Sequence, residues 1–329
     1  MTKPNLILTV AEAEKDHEKW LQVRNQGIGG SDAGVILGLN PYKSLLALWL
    51  EKTGQAKPED LSNNERVYWG IHNEPNIADY FCEKTGKHVR RCGTMQHGDY
   101  PWLLANVDRL IDGEQAGLEI KTAGVSQYPL WKDEDEVPDA YYAQCQHYML
   151  VTGFPMWYIA VLIGGNECLI KPVPRNEDFI SMLFEAEQEF WKSVEERTMP
   201  DVDGMKSTSE ALAEMYPQAK ADSVLQLPST DELEKIFADY ERYDAIIEDS
   251  KLLKTECENR LKVLMGDNEV CIVGDGDTQH KITWKNVKGR TTIDGKKLQK
   301  EMPDVYEQYK KVGAPSRRFE IKNKKEKEK

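Results

Sequence analysis

A run of seven apolar residues, from Trp157 to Ile163, is the feature that most constrains how this chain can fold. A strand without polar alternation is typical of a sheet that helices cover on both faces. The run is far shorter than the 18 or so residues that a membrane-spanning helix needs. It therefore predicts an internal strand of a layered protein that contains both helices and a sheet.

Helical and extended patterns alternate around this strand. The spacing of apolar residues predicts helices over 64–84, 139–151 and 177–197. Extended segments are predicted over 88–95, 102–111, 118–122 and 168–173. Pro75 predicts a kink or restart in the first of these helices. We expect an α/β (α+β) fold with a central mixed sheet flanked by helices.

The last third of the chain differs in character from the rest. A first domain is predicted over 1–200, and the polar, irregular residues 201–228 predict a linker. Residues 229–329 predict a C-terminal arm, in which a long helix to about Met265 precedes short strands and a basic tail, KNKKEKEK. The long helix is interpreted either as an arm that contacts DNA or another protomer, or as a stabilising hairpin.

The net charge of −13 conceals a basic C-terminal end. Residues 280–329 hold 16 Lys and Arg against 7 Asp and Glu, and the remaining residues hold 27 against 49. The excess of negative charge in residues 1–279 argues against a protein that coats nucleic acid. Binding to DNA therefore has to be confined to particular sites, such as a metal site, a channel or the basic end. The candidate phosphate contacts of the basic end are Lys281, Trp284, Lys285, Lys288, Arg290, Arg317 and Arg318.

Cysteine usage and the first residues indicate the compartment. The six cysteines contain no CxxC pair, which is typical of reduced thiols rather than of disulfides or a zinc site. The N-terminal sequence MTKPNLILTV lacks the pattern of a signal peptide, and no segment is apolar enough for a membrane span. We expect a cytoplasmic protein.

Two carboxylates and an ammonium group are predicted to meet on neighbouring strands. Glu119 and Lys121 are two residues apart, so they point to the same face of a strand. Asp108 lies on the preceding strand, which a meander brings beside them. Such a set can bind Mg²⁺, which activates water and stabilises charge on a phosphate, while Lys121 orients or deprotonates the water.

A purely structural interpretation of these residues is that they are polar positions of half-exposed strands. A short motif of this kind often occurs by chance, which favours the structural interpretation when the motif stands alone. Asp108, however, lies within the apolar segment LLANVDRLI, where an unpaired carboxylate is costly. This context favours a functional site.

Further candidates surround this motif in the sequence. Glu74, in WGIHNEP, can add a third carboxylate or be an ordinary helix charge. Gln144 and Tyr148 share one helical face and can bind a phosphate, stack near a nucleotide, or form a simple surface pair. Arg24 precedes the segment GIGGSD, where Ser31 either helps to bind an anion or only caps the helix that follows.

Taken together, these motifs resemble the phage lambda exonuclease or YqaJ-like viral recombinase family over about residues 15–195. The resemblance implies a nuclease core of the PD-(D/E)xK, restriction-endonuclease-like type. It also implies a Mg²⁺-dependent enzyme, with Mn²⁺ as a substitute, that degrades linear double-stranded DNA from the 5′ end. The expected partners are DNA ends and a phage single-strand annealing protein, and the expected assembly is a trimer.

The resemblance also implies a role for each matching residue. Asp108, Glu119 and the carbonyl of Ile120 are implied metal ligands, and Lys121 is the implied catalytic lysine. The remaining assignments are a carboxylate near the metal for Glu74, a position beside the cut strand for Gln144 and Tyr148, and a 5′-phosphate pocket for Arg24 and Ser31. Two alternatives stay open, namely a DNA endonuclease of the same fold and a non-catalytic DNA-end or recombinase-binding scaffold.

Overall fold

The computed structural model describes residues 3–57, 63–133, 136–275, 279–313 and 316–321. Two compact units, Met1–Pro217 and Gln218–Lys329, are treated separately below. The predicted basic tail lies outside the described residues. Within the described part of the chain, no helix is long and apolar enough to cross a membrane.

A mixed sheet of five strands forms the centre of the first unit. In sheet order the strands are β2 (Val89–Arg90), β5 (Arg109–Ile111), β6 (Ala116–Ala123), β7 (Met156–Ile163) and β8 (Glu167–Pro174). Strand β6 is parallel to β7, and the other neighbours are antiparallel. The mixed sheet is thus confirmed, and the apolar run lies between two other strands as expected.

Helices α5 (Glu65–Thr85) and α6 (Asp139–Thr152) cover the sheet. Phe81 of α5 belongs to one buried cluster with Leu118, and Met149 of α6 belongs to another with Ile159. Successive strand residues point to opposite faces, so residues 119 and 121 face away from Leu118. This alternation directs Glu119 towards α6.

The other elements of the first unit surround this core. A second, antiparallel sheet consists of β1 (Asn5–Leu8), β3 (Thr94–Gln96) and β4 (Leu104–Asn106). The helices are α1 (Val10–Lys15), α2 (His17–Asn25), α3 (Gly30–Ile36), α4 (Leu45–Lys52), α7 (Glu177–Glu195) and α8 (Lys206–Met215), with a short 3₁₀ helix over Val125–Leu130.

Two of the predicted strands are in fact divided between the two sheets. The segment 88–95 contains β2 and the start of β3, and the segment 102–111 contains β4 and β5. The chain leaves β4 at Asn106, bends at Asp108 and pairs again from Arg109. The bend transfers the chain from one sheet to the other, so Asp108 lies between the strands rather than within one.

At Pro75, where we predicted a kink or a restart, helix α5 does not restart but continues through the proline. Proline removes one backbone N–H, whose partner one turn earlier is the carbonyl of Ile71. Ile71 is an exposed residue, so solvent can hydrate the carbonyl that loses its partner. The helix then ends at Gly86, which adopts the left-handed conformation with φ of 70°.

The segment interpreted as a linker begins with a packed helix. Ala211 of α8 is buried and shares a cluster with Trp49 of α4 and Phe190 of α7. Helix α8 therefore belongs to the first unit, and the irregular parts of the predicted linker are residues 201–205 and 216–228. The apolar positions of this short helix were too few to stand out in a polar segment.

A histidine and a carboxylate form a fully buried pair between α6 and α7. His147 Nδ1 lies 2.7 Å from Glu187 Oε1, and its Nε2 lies 2.8 Å from the carbonyl oxygen of Leu104. Burial lowers the pKa of His147, but Glu187 more than offsets this and the pKa is raised; burial also raises the pKa of Glu187. The pair joins both helices to β4.

The second unit is built on one long helix, as the sequence predicted. Helix α9 (Asp231–Met265) is followed by the antiparallel strands β9 (Val270–Val273) and β10 (His280–Thr283). Two short helices, α10 (Gly295–Glu301) and α11 (Pro303–Tyr309), complete it.

Candidate functional site

The side chain of Asp108 is bound to the neighbouring strand. Its Oδ2 accepts a hydrogen bond of 2.7 Å from the backbone N–H of Ile120 on β6. Burial and the nearby carboxylate of Glu119 raise the pKa of Asp108, against the opposing effect of Lys121. The bend before β5 is what allows this contact, because it turns the residue out of the strand ladder.

Glu119 and Lys121 lie together on the face of β6 that α6 covers. Lys121 Nζ is 2.6 Å from Glu119 Oε1 and 4.9 Å from the ring centre of Tyr141. Burial lowers the pKa of Lys121, but the two carboxylates outweigh it and the pKa is raised. The other oxygen of Glu119, Oε2, is buried and has no hydrogen-bond partner.

Gln144 and Tyr148 of α6 form a chain of hydrogen bonds that ends at the carboxylate of Glu119. Gln144 Nε2 donates to Glu119 Oε1 at 2.8 Å and to Tyr148 Oη at 2.9 Å. The hydroxyl of Tyr148 donates in turn to the carbonyl of Asn106 at 2.9 Å. We predicted a phosphate or nucleotide contact for this pair, and the contacts observed are to the carboxylate and to the end of β4.

Helix α3 approaches this network so closely that a glycine is required at its start. A Cβ atom on Gly30 would lie 2.4 Å from a ring carbon of Tyr148 and 3.1 Å from Cγ of Gln144. A Cβ contact as short as 2.4 Å does not occur in real structures, so a side chain at this position would have to displace the ring of Tyr148. Gly30 thereby lets helix α3, which carries Ser31, pack against the residues of α6 that contact Glu119.

Arg109 is a site residue that sequence reasoning missed. Its guanidinium pairs with Glu74 and donates to the backbone carbonyl of Asp108 at 2.7 Å. The Arg109 side chain is only 8% exposed. An arginine next to an aspartate in an otherwise apolar segment was the available signal, because a buried cation needs a partner.

Arg24 and Ser31 are brought together as predicted. Arg24 Nη2 donates to Ser31 Oγ at 3.0 Å, and its guanidinium lies 5.4 Å from the ring centre of Trp20. The predicted capping role of Ser31 is wrong, because α3 starts at Gly30, two residues before the start that capping by Ser31 requires, and Gly29 occupies the N-cap. The hydroxyl of Ser31 binds the arginine instead.

A second missed residue, Lys52, fixes the turn behind Arg24. Its ammonium is 2.7 Å from Asp32 Oδ2 and donates to the backbone carbonyls of Gly27 and Arg24 at 2.7 and 3.2 Å. Burial raises the pKa of Asp32, but Lys52 and Arg24 outweigh it and the pKa is held well below the usual range. The backbone of Arg24 is therefore held independently of its side chain.

The predicted side chains meet in one cavity of about 770 Å³. Those that line it are Arg24, Ser31, Glu74, Asp108, Glu119, Lys121, Gln144 and Tyr148. The backbone N–H of Ile120 binds Asp108, and its carbonyl as a metal ligand stays a prediction. Within the described residues, no three His, Cys, Asp or Glu side chains converge as a metal site, and the third carboxylate, Glu74, is paired with Arg109.

Sequence comparison finds relatives for this chain. The YqaJ-like viral recombinase domain matches residues 19–155. The protein YqaJ of Bacillus subtilis is 39% identical over 329 residues, which cover 98% of this chain and 99% of that protein. A protein of Acanthamoeba polyphaga mimivirus is 20% identical over 217 residues, 63% of this chain and 36% of that protein. The Bacillus subtilis relative is thus similar across both units.

Structure comparison finds more distant similarities. An alkaline exonuclease from Laribacter hongkongensis has a TM-score of 0.46 at 16% identity, over 55% of this chain and 93% of that chain. A phage-related exonuclease from Haemophilus somnus has a TM-score of 0.39 at 11% identity, over 54% of this chain and 100% of that chain.

Proposed function

Because this chain belongs to the YqaJ-like viral recombinase family, we propose that it is a metal-dependent exonuclease for double-stranded DNA. The enzyme would degrade one strand of linear DNA from its 5′ end and leave 3′ single-stranded overhangs. The observation that supports this most is the joining of Asp108, Glu119 and Lys121 in one cavity, with one carboxylate oxygen buried and unpaired.

The oxygen atoms at this position suit Mg²⁺, and Mn²⁺ as a substitute. Mg²⁺ in phosphoryl-transfer sites is bound by one or two carboxylates, with water and substrate oxygens completing its shell. Asp108, Glu119 and the carbonyl of Ile120 would hold it, since an unpaired buried carboxylate oxygen is costly unless a cation takes it up. When bound, the metal supplies an activated water and stabilises charge on the phosphate.

The protein's own side chains then have separate tasks. Lys121 places a positive charge beside both carboxylates, where it can orient the attacking water or a phosphate oxygen. Gln144 donates a hydrogen bond to Oε1 of Glu119, so Oε2 keeps no partner in the protein and would be available to the metal. Arg109 fixes Glu74 and the Asp108 backbone, so the acidic groups stay in position before DNA arrives.

The Arg24 side of the cavity offers a site for the 5′-phosphate. A guanidinium and a hydroxyl, 3.0 Å apart, can both donate to phosphate oxygens, and arginine is well suited to this anion. Arg24 and the carboxylates line the same cavity, so a strand held by its end would present its first phosphodiester to the acidic side.

The 3′ overhangs that this reaction leaves indicate which class of protein acts on the DNA next. A 3′ overhang is single-stranded DNA, which a phage single-strand annealing protein takes up. We propose such a protein as the partner and the host cytoplasm as the location of the reaction.

One assay tests the proposed function. Linear duplexes labelled at the 5′ end and closed-circular duplexes labelled within a strand are incubated with the purified full chain, with and without Mg²⁺. We expect nucleotide release from linear DNA only, and only with the metal. Cutting of closed circles would establish an endonuclease, and metal-dependent DNA binding without any release would contradict a catalytic role.

Arg24→Ala is expected to remove the preference for phosphorylated over hydroxyl 5′ ends. A charged hydrogen bond contributes about 1.5 to 3 kcal/mol, so the rate ratio of the two substrates should fall roughly 10- to 100-fold. Basal cutting of hydroxyl ends should persist, because the Arg24 backbone is held by Lys52. Competition between the two ends in one reaction measures the ratio.

Arg90→Ala is the matched control for this prediction. Arg90 is exposed, pairs with Asp112 at 3.0 Å and does not line the cavity. Its loss should leave the ratio unchanged. Equal losses on both DNA ends in Arg24→Ala would indicate an arginine that supports only the fold.

A further inference from the structure

Helix α9 exposes large apolar side chains along one face. Ile236, Tyr240 and Ile247 are 56%, 46% and 49% exposed. A 35-residue helix spans about 52 Å, and long helices obtain most of their stability from packing of an apolar face. Exposed apolar surface of this extent indicates a surface that binds another protein.

The apolar positions of this face follow the spacing of a coiled coil. Steps of three and four residues alternate through its first half, which consists of Leu233, Ile236, Tyr240, Tyr243 and Ile247. The same steps continue through its second half, which consists of Ser250, Lys254, Cys257, Leu261 and Leu264, of which Ser250 and Lys254 are polar. We call these ten positions the α9 seam. Alternation of this kind over four heptads is typical of a helix that packs along its length against another helix.

We propose that the α9 seam binds the α9 seam of a second copy of this chain, with the two helices antiparallel. The inference does not depend on the proposed nuclease activity. It rests on three features of the described helix: the sizes of the seam side chains, the charges beside the seam, and the distribution of charge along the helix.

The two halves of the seam complement each other in size. In an antiparallel pair centred between residues 248 and 249, large side chains of the first half lie opposite smaller or flexible ones of the second half. Tyr240 lies opposite Cys257 of the second copy, Tyr243 opposite the aliphatic chain of Lys254, and Ile247 opposite Ser250. At the ends, leucine lies opposite leucine or isoleucine. The smaller or flexible residues Ser250, Lys254 and Cys257 of the α9 seam therefore leave room for the bulky residues of the second copy.

The residues that flank the seam also match in this arrangement. Asp244 lies beside Lys251 of the second copy, and Asp239 lies beside Arg260. Ile246 lies beside Leu253 of the second copy, and both are exposed in the single chain, at 51% and 64%. Charges that flank a seam select the partner and its direction, so this pattern favours the antiparallel pair.

A parallel pair is disfavoured by the same residues. It would place Asp239 beside Asp244 of the second copy, and it would bury Lys254 against its own equivalent. Residues 231–249 hold eight acidic and two basic side chains, whereas 250–265 hold four basic and two acidic ones. Parallel helices would align the two acidic halves, and antiparallel helices align each acidic half with a basic one.

Molar mass measured by light scattering after size exclusion tests the pairing. The full chain should have the mass of two chains, or of six if the seams join two trimers of the kind that the family resemblance implies, and Ile247→Glu should halve it. The two-fold axis brings both copies of this position near the centre, so the new carboxylates repel. Leu252→Glu is the matched control, because Leu252 is 70% exposed and lies outside the seam. A wild-type mass of one or three chains, or a mass that Ile247→Glu does not change, would overturn the proposal.

Thiol crosslinking tests the direction of the helices. Tyr240→Cys introduces a thiol opposite Cys257 of the second copy, so a short bifunctional thiol reagent should join residues 240 and 257 between chains. Peptide mapping by mass spectrometry identifies the linkage. Adding Cys257→Ser to this variant should abolish it. A linkage between two Cys257 residues in the wild-type chain would establish parallel helices and overturn the proposal.

Discussion

Glu119→Gln is expected to reduce DNA hydrolysis about a thousandfold, which corresponds to ~4 kcal/mol of activation free energy. The amide retains the size of the carboxylate, and its oxygen can still accept the hydrogen bond from Gln144. It loses the negative charge that would bind the metal. Initial rates of nucleotide release under saturating Mg²⁺ measure the effect, and the melting temperature should stay within about 3 °C of the wild type.

The control for this change is Glu167→Gln, which alters an exposed carboxylate on strand β8 of the same sheet. It should leave the rate unchanged. Calorimetric titration with Mn²⁺ provides a readout besides activity, because Glu119→Gln should weaken metal binding and Glu167→Gln should not. Full activity in Glu119→Gln would show that this carboxylate does not take part in the reaction.

The second large effect is expected on stability rather than on catalysis. His147→Ala should lower the free energy of unfolding by about 3 to 5 kcal/mol, because it leaves Glu187 buried without its partner. For a unit of this size the melting temperature should fall by roughly 6 to 20 °C. Thermal denaturation followed by circular dichroism measures the change.

The stability of His147→Ala should depend on pH in a defined direction. Burial raises the pKa of Glu187 above its usual value of 4.5, and without the histidine nothing opposes this. A carboxyl group with a raised pKa in the folded state destabilises the fold as pH rises, because the unfolded state then ionises more readily. The free energy of unfolding of the variant should therefore fall from pH 5 to pH 8. The wild type also loses, as pH rises through the raised pKa of His147, the stabilisation that this histidine contributes, so both proteins are measured at both pH values.

Glu187→Gln separates the loss of a partner from the loss of a charge. The amide N–H can donate to Nδ1 of a neutral His147, whose Nε2–H still donates to the carbonyl of Leu104. Both ring nitrogens of His147 keep a hydrogen-bond partner, so the expected loss is only about 1 kcal/mol. A loss as large as that of His147→Ala would show that the ion pair itself, rather than the hydrogen bonds, stabilises the unit.

Local spacing was enough to predict the central part of the fold. The apolar run at 157–163, the extended segment at 168–173, and the helices on both sides of them follow from patterns within single segments. The shared face of Glu119 and Lys121 follows in the same way, because alternation along a strand is fixed by the backbone. The long helix α9 was equally visible, since its apolar positions recur over many turns.

The division of two strands between two sheets was not visible in the sequence. Residues 102–111 are extended throughout, and extended backbone by itself does not specify which neighbour it pairs with. The bend at Asp108 occurs because β4 pairs with β3 and β5 pairs with β6. Those pairings depend on strands that are distant along the chain, and they determine where the aspartate side chain can reach.

The sequence by itself therefore determined which elements form and which chemical groups each of them carries, because helix and strand periodicity depend only on neighbouring residues. The tertiary structure decided which groups meet: that Gln144 holds Glu119, that Arg109 takes up Glu74, and that Lys52 fixes the turn at Arg24. The reason is that a buried charge or hydrogen bond is stable only with a partner, and burial is set by the packing of all the elements together.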